Sequence, residues 1–134
     1  MKKDYLNPKE LGAAPKFYTH AVTASGDGKL VYVSGQVSWD ASGKVVGKGD
    51  MRAQSEQVFA NVTAILKEAG ANWGDVIKMN GYMVGMDGPR VDAYREVRGR
   101  YLVAGKLPAS TLVGVERLVH PDLLLEVEVV AAVG

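Results

Sequence analysis

The stretch from Leu123 to Ala131 alternates in a way that few folds can accommodate. Successive side chains of a strand point to opposite faces. Leu123, Leu125, Val127, Val129 and Ala131 therefore share one face, and it is wholly apolar. Leu124, Glu126, Glu128 and Val130 share the other, which mixes apolar groups with two carboxylates. The first face must lie under apolar helices of the same chain. A half-apolar sheet face with no cover in a small protein is commonly buried against a second copy, so a homo-oligomer is expected.

The rest of the chain supplies the cover. Val58, Phe59, Val62, Ile65, Leu66 and Ala69 recur at helical spacing and predict a helix over 51–69, with Asp50 as its cap and Gly70 just past its end. Pro89 can open a second helix, carried by residues 91–104. Strands are predicted at 18–24, 30–34, 76–84, 111–115 and 123–131, with a short edge strand at Lys44-Val45-Val46. Gly35 ends or bends the strand before it. Residues 1–16, broken by Pro8, Gly12 and Pro15, read as an irregular arm. The fold class is α+β: five to six strands in a mixed sheet, two helices on one face, and a single domain over 1–134.

Composition narrows the chemistry. The sequence has no cysteine, which removes disulfides, thiolate metal sites and cysteine nucleophiles. His20 and His120 stand a hundred residues apart with no acidic partner at ligand spacing, so no metal site is expected. Sixteen basic and fifteen acidic side chains leave a formal charge of +1, which withdraws the usual electrostatic reason to expect nucleic acid. The opening residues have no apolar core and no apolar run approaches a membrane span of about 20 residues, so a cytoplasmic location is expected.

Three features could carry chemistry. Glu126 and Glu128 lie two apart on one strand face, and either could act as a general acid or base if an interface buried it. Solvated carboxylates or interface ion pairs are the plainer alternative. Arg98 falls inside the apolar stripe of the second helix (Val91, Tyr94, Val97, Tyr101, Leu102), whereas Arg95 sits on its flank and Arg100 points away. An arginine placed there needs an anionic partner, from the protein or from a ligand, unless it snorkels to the surface. Arg90, Arg95, Arg98, Arg100 and Lys106 outnumber Asp92 and Glu96 and make a weak basic patch. The glycine pairs 26/28 and 47/49 lack the flanking lysine or helix of a phosphate loop and read as turns.

An ordered set of segments resembles a known family. It comprises Tyr18 to Val22, Leu-Val-Tyr-Val-Ser-Gly-Gln at 30–36, Gln54 and Asn61, Ala69-Gly70-Ala71, and Asp75-Val76-Ile77-Lys78. It continues through Pro108-Ala109 to Leu-Leu-Leu-Glu-Val-Glu-Val-Val-Ala at 123–131. These resemble the Rid family, the reactive intermediate deaminases also called YjgF or endoribonuclease L-PSP, from about residue 13 to 133. The resemblance implies a chorismate-mutase-like fold, a homotrimer and small-molecule clefts between subunits. It also implies cofactor-independent hydrolysis of enamines or imines to a carbonyl product and ammonia.

Carried over by position, the resemblance gives Tyr18, Ser34 and Gly35 as pocket residues and Glu126 as the catalytic glutamate. The family's carboxylate-binding arginine should follow Pro108-Ala109, and Ser110 stands there instead, with Leu112 two positions on. Without that arginine a substrate carboxylate lacks its bidentate partner. A substrate other than a simple 2-imino acid is therefore expected, or recruitment of Arg98 or Arg95 for the anion. A metabolite-binding trimer without turnover is the alternative, and a ribonuclease or translation inhibitor, which the family names record, is disfavoured by the charge balance.

Overall fold

A computed structural model describes all 134 residues. Its strands are β1 (Lys2–Leu6), β2 (Ala21–Ser25), β3 (Lys29–Val37), β4 (Val76–Val84), β5 (Ala109–Val115) and β6 (Leu125–Val133). Its helices are α1 (Met51–Glu68) and α2 (Gly88–Tyr101), with short 3-10 turns at Lys9–Leu11 and Trp73–Asp75. Four strands form a mixed sheet in the order β3-β6-β4-β5, in which only β4 and β5 run parallel. The other two, β1 and β2, pair as a separate antiparallel ribbon. The α+β class stands, but the mixed sheet has four strands where five to six were expected, because β1 and β2 pair with each other apart from it.

Both helices start where their caps dictate. The Asp50 carboxylate accepts the Ala53 N–H at 3.0 Å, and the Asp87 carboxylate accepts that of Arg90 at 2.8 Å, with Pro89 in the first turn. Past the end of α1, Gly70 takes the left-handed φ of 74° that closes such helices. Val58, Phe59, Val62 and Leu66 of α1 and Tyr94 and Val97 of α2 then meet Met79, Met83, Leu125, Val127, Val129 and Ala131 of the sheet in one buried cluster. The apolar face of β6 is therefore covered as its alternation requires, and its second face carries no helix. Gln54, fully buried on α1, satisfies both ends of its amide. It donates to the Gly47 and Asp122 carbonyls and accepts the Leu124 N–H, tying α1 to the lead-in of β6.

Three further expectations change. The opening arm is not wholly irregular: Lys2–Leu6 pairs with Ala21–Ser25, so β1 exists and β2 starts later than the sequence suggests. Lys44-Val45-Val46 is no strand, only a single bridge from Val45 to Trp39. The second helix ends at Tyr101, before Val103 and Ala104. Gly35 bends β3 without ending it. Between Val33 and Gln36 the register with β6 slips, so that Ser34 and Gly35 form a bulge opposite Glu128.

Candidate functional site

The candidate residues fall into two groups on opposite faces of the four-stranded sheet. On the face without helices, β6 presents Glu126 and Glu128, and β4 presents Lys78, Asn80 and Tyr82 beside them. Glu128 is engaged: the Tyr82 hydroxyl donates to its Oε1, and Asn80 Nδ2 donates to the same oxygen at 3.3 Å. That bond holds the Tyr82 proton, so the phenol's pKa is raised. Lys78 Nζ donates to the Thr111 hydroxyl at 3.2 Å. A shallow cavity of about 240 Å³ is bounded here by Tyr32, Ser34, Lys78, Asn80 and Glu128.

Glu126 is the free carboxylate of the pair, with no hydrogen bond or ion pair inside the chain. It rests on the β3 bulge. A Cβ built at Gly35 would fall on the Glu126 carboxylate, 2.7 Å from its Cδ, so only a residue without a side chain leaves it room. Partial burial, and then the charge of Glu128, raise the Glu126 pKa above the ordinary 4.5. A half-buried, unpartnered carboxylate of raised pKa can take a proton from water.

The second group lies on the helix side, where α2 meets the edge strand β5. Ser110 is level with Met79 of the core and Leu112 with Gly81, so both point toward α2. A cavity of about 210 Å³ is lined there by Tyr18, Arg95, Arg98, Ser110 and Leu112, with Phe17 and Tyr94. Tyr18 is held against β5 by the next residue, because the Thr19 N–H donates to the Pro108 carbonyl at 3.0 Å. The Arg95 guanidinium lies 4.3 Å over the centre of the Phe17 ring. Arg98 is buried, as its place in the apolar stripe predicts. Burial pushes its guanidinium pKa down, and the neighbouring Tyr94 partly offsets that.

Tyr18, Arg95, Arg98, Ser110 and Leu112 thus come together, and so do Ser34, Gly35 and Glu126. Within one chain the two groups do not meet. Lys78, Asn80 and Tyr82 were missed from the sequence, although alternation along 76–84 places them opposite Met79, Gly81 and Met83. The basic patch disperses. Arg100 pairs with Glu56 at 3.2 Å, and Arg90 donates to the Val84 and Gly85 carbonyls. No three His, Cys, Asp or Glu side chains converge on a metal position, and no helix is long and apolar enough to cross a membrane.

The sequence model of the endoribonuclease L-PSP family matches residues 9–133. The chain belongs to the Rid family, which that model describes. A RutC family protein of Pyrococcus abyssi is 34% identical over 124 residues, covering 92% of this chain and 89% of the relative. A protein of Dermatophagoides farinae named 2-iminobutanoate/2-iminopropanoate deaminase is 30% identical over 115 residues, covering 84% of this chain and 80% of its own. Among solved structures, the Rid-family protein YyfB of Yersinia pestis, of unknown function, superposes with a TM-score of 0.88 at 32% identity. That match covers 99% of this chain and 100% of YyfB. Membership of the Rid family carries the fold expected from the sequence, two helices on a mixed sheet, across nearly the whole chain.

Proposed function

We propose that this Rid protein is a cofactor-independent hydrolase, acting in the cytoplasm on a reactive imine or enamine and releasing a carbonyl compound and ammonia. The observation that carries the reading is Glu126: a partly buried carboxylate of raised pKa, free of partners and seated on a glycine bulge. In the reaction, which an enamine enters by tautomerising to the imine, Glu126 accepts a proton from water as the water oxygen bonds to the imine carbon. The C=N electron pair moves to nitrogen, which takes the proton back from Glu126. The new hydroxyl then gives up its proton, which passes to nitrogen, as the C–N bond breaks; ammonia leaves and the oxygen remains as the carbonyl. The deaminase named in Dermatophagoides farinae supports this class of chemistry.

Ser110 in place of an arginine supports a substrate other than a simple 2-imino acid. Freshly generated 2-iminobutanoate is expected to be hydrolysed only weakly, and Ser110→Arg is expected to raise ammonia release from it. Robust turnover by the unaltered protein would overturn that restriction. No ammonia from any imine or enamine tried would favour the alternative of a binding protein without turnover, which the acid-free cation cavity also supports.

The sites are proposed to lie between the copies of a homotrimer. Glu126 and the Arg98 cavity occupy opposite sheet faces, so a ligand touching both must sit between two chains. The helix-free face also presents apolar groups to solvent, with Tyr32 at 74% and Val113 at 40% exposure. Sedimentation velocity at micromolar concentration is expected to give a trimer, and a stable monomer would overturn the arrangement.

A further inference from the structure

Arg98 is the only charged residue of the chain that is buried, at 4% exposure. It takes part in none of the chain's ion pairs. The polar neighbour in reach is Tyr94, whose hydroxyl cannot satisfy five guanidinium N–H donors. The cavity it lines holds a second guanidinium, that of Arg95, and no carboxylate. The adjoining depression, of about 280 Å³, shares Arg95 and Arg98, adds Lys16, and has no carboxylate either. A buried cation without a counter-ion is expensive, and its cost is recovered only when an anion arrives.

We infer that Arg98 is an anion receptor, and that the cavity between α2 and β5 takes the carboxylate of a small ligand. The planar guanidinium matches a carboxylate with two parallel hydrogen bonds. The Ser110 and Tyr18 side chains in the same lining offer hydroxyls to the ligand's other polar atoms. Arg98 stands in the last turn of α2, where the helix dipole is negative, so the cavity lacks the helix N-terminus that commonly receives phosphate dianions. The inference rests on the hydrolase reading and deepens it by naming a carboxylate-bearing substrate whose acid group is set differently from that of a simple 2-imino acid, because the cation stands on α2 and not at Ser110 of β5, but it needs no turnover to be tested.

The experiment is calorimetric titration of the assembled protein with acetate, 2-oxobutanoate and benzoate, with inorganic phosphate as the competing anion. Arg98→Met keeps the bulk and removes the charge. It is expected to weaken carboxylate binding by at least about tenfold. It is also expected to leave the thermal midpoint of the ligand-free protein unchanged or higher, because an unpaired buried charge has been removed. Adding Ser110→Arg to Arg98→Met returns a cation to the same cavity and is expected to restore part of the binding. Arg98→Met that binds like the unaltered protein, or no binding of any of the three carboxylates by the unaltered protein, would overturn the inference. So would a lowered midpoint with loss of assembly, the mark of an ion pair across an interface. Preference for phosphate would overturn the ligand class. Carboxylate binding that depends on Arg98, found together with no ammonia release, would leave the receptor standing and remove the hydrolase reading alone.

Discussion

Glu126→Gln is expected to lower ammonia release from any imine the protein accepts by about 10²–10⁴-fold, the usual contribution of a positioned general base. The amide matches the carboxylate in shape and cannot take a proton. Glu126 has no partner in the chain to leave stranded, so the fold is expected to survive. The pH dependence has a definite sign. The group works as a base only when ionised, so the rate of the unaltered protein is expected to rise with pH through a value above the ordinary 4.5. Stability runs the other way. A carboxyl whose pKa is raised by folding binds more protons in the folded state, so its contribution falls as pH rises from 4.5 through the folded value. In Glu126→Gln that fall is expected to be absent. Rate profiles and urea melts of the two proteins across the window check both signs, and unchanged turnover in Glu126→Gln would remove the base from this position.

Gly35→Ala is expected to be nearly as damaging to activity while sparing the fold. The new Cβ lands on the Glu126 side chain, 2.7 Å from Cδ and 2.9 Å from Cγ. That side chain is flexible and gives way, so the change in stability is expected to stay within about 1 kcal/mol. Gly35 is not among the glycines of positive φ, so alanine meets no backbone strain there. The carboxylate, however, is displaced, and a shift of about 1 Å at a reacting group can cost about 10²-fold in rate. Adding Glu126→Asp to Gly35→Ala shortens the acid and is expected to recover part of the activity. The ammonia assay paired with thermal melts reads both effects. Full activity in Gly35→Ala would mean that the seat of the carboxylate is unimportant.

How much of this was legible beforehand depended on the range over which each feature is encoded. The burial of β6 could be read directly, because alternation is a property of adjacent residues. Arg98 could be read for the same reason: a helical period places it among Tyr94, Val97 and Tyr101 whatever surrounds the helix. The strand at Lys2–Leu6 could not. Its own alternation is polar, and its pairing with Ala21–Ser25 spans an intervening stretch broken by Pro8, Gly12 and Pro15. Val45 has the β-branched character of a strand residue, but with only Trp39 to pair with it forms a bridge and nothing longer.

The division of the candidate site was equally out of reach. Ser110 and Glu126 lie on separate strands, and only the register of β5 on β4, which sets Ser110 level with Met79, sends Ser110 to the helix side. Glu126 and Gly35 illustrate the opposite case. They are far apart in sequence, and the resemblance to the Rid family joined them as functional residues. The bulge that presses one onto the other belongs to three-dimensional register.

With the roles proposed for Glu126 and Arg98, a proton acceptor on one face of the sheet and a ligand's anchor on the other separate two kinds of evolutionary change. Substitutions along α2 and β5 can relocate a cation or reshape a cavity without disturbing any contact between Glu126 and Gly35. The chemistry on the helix-free face can then be inherited intact while the range of molecules it serves drifts. On the roles proposed here, Ser110 and Arg98 are one such exchange: the cation that the family resemblance places on the strand stands instead on the helix that packs over it.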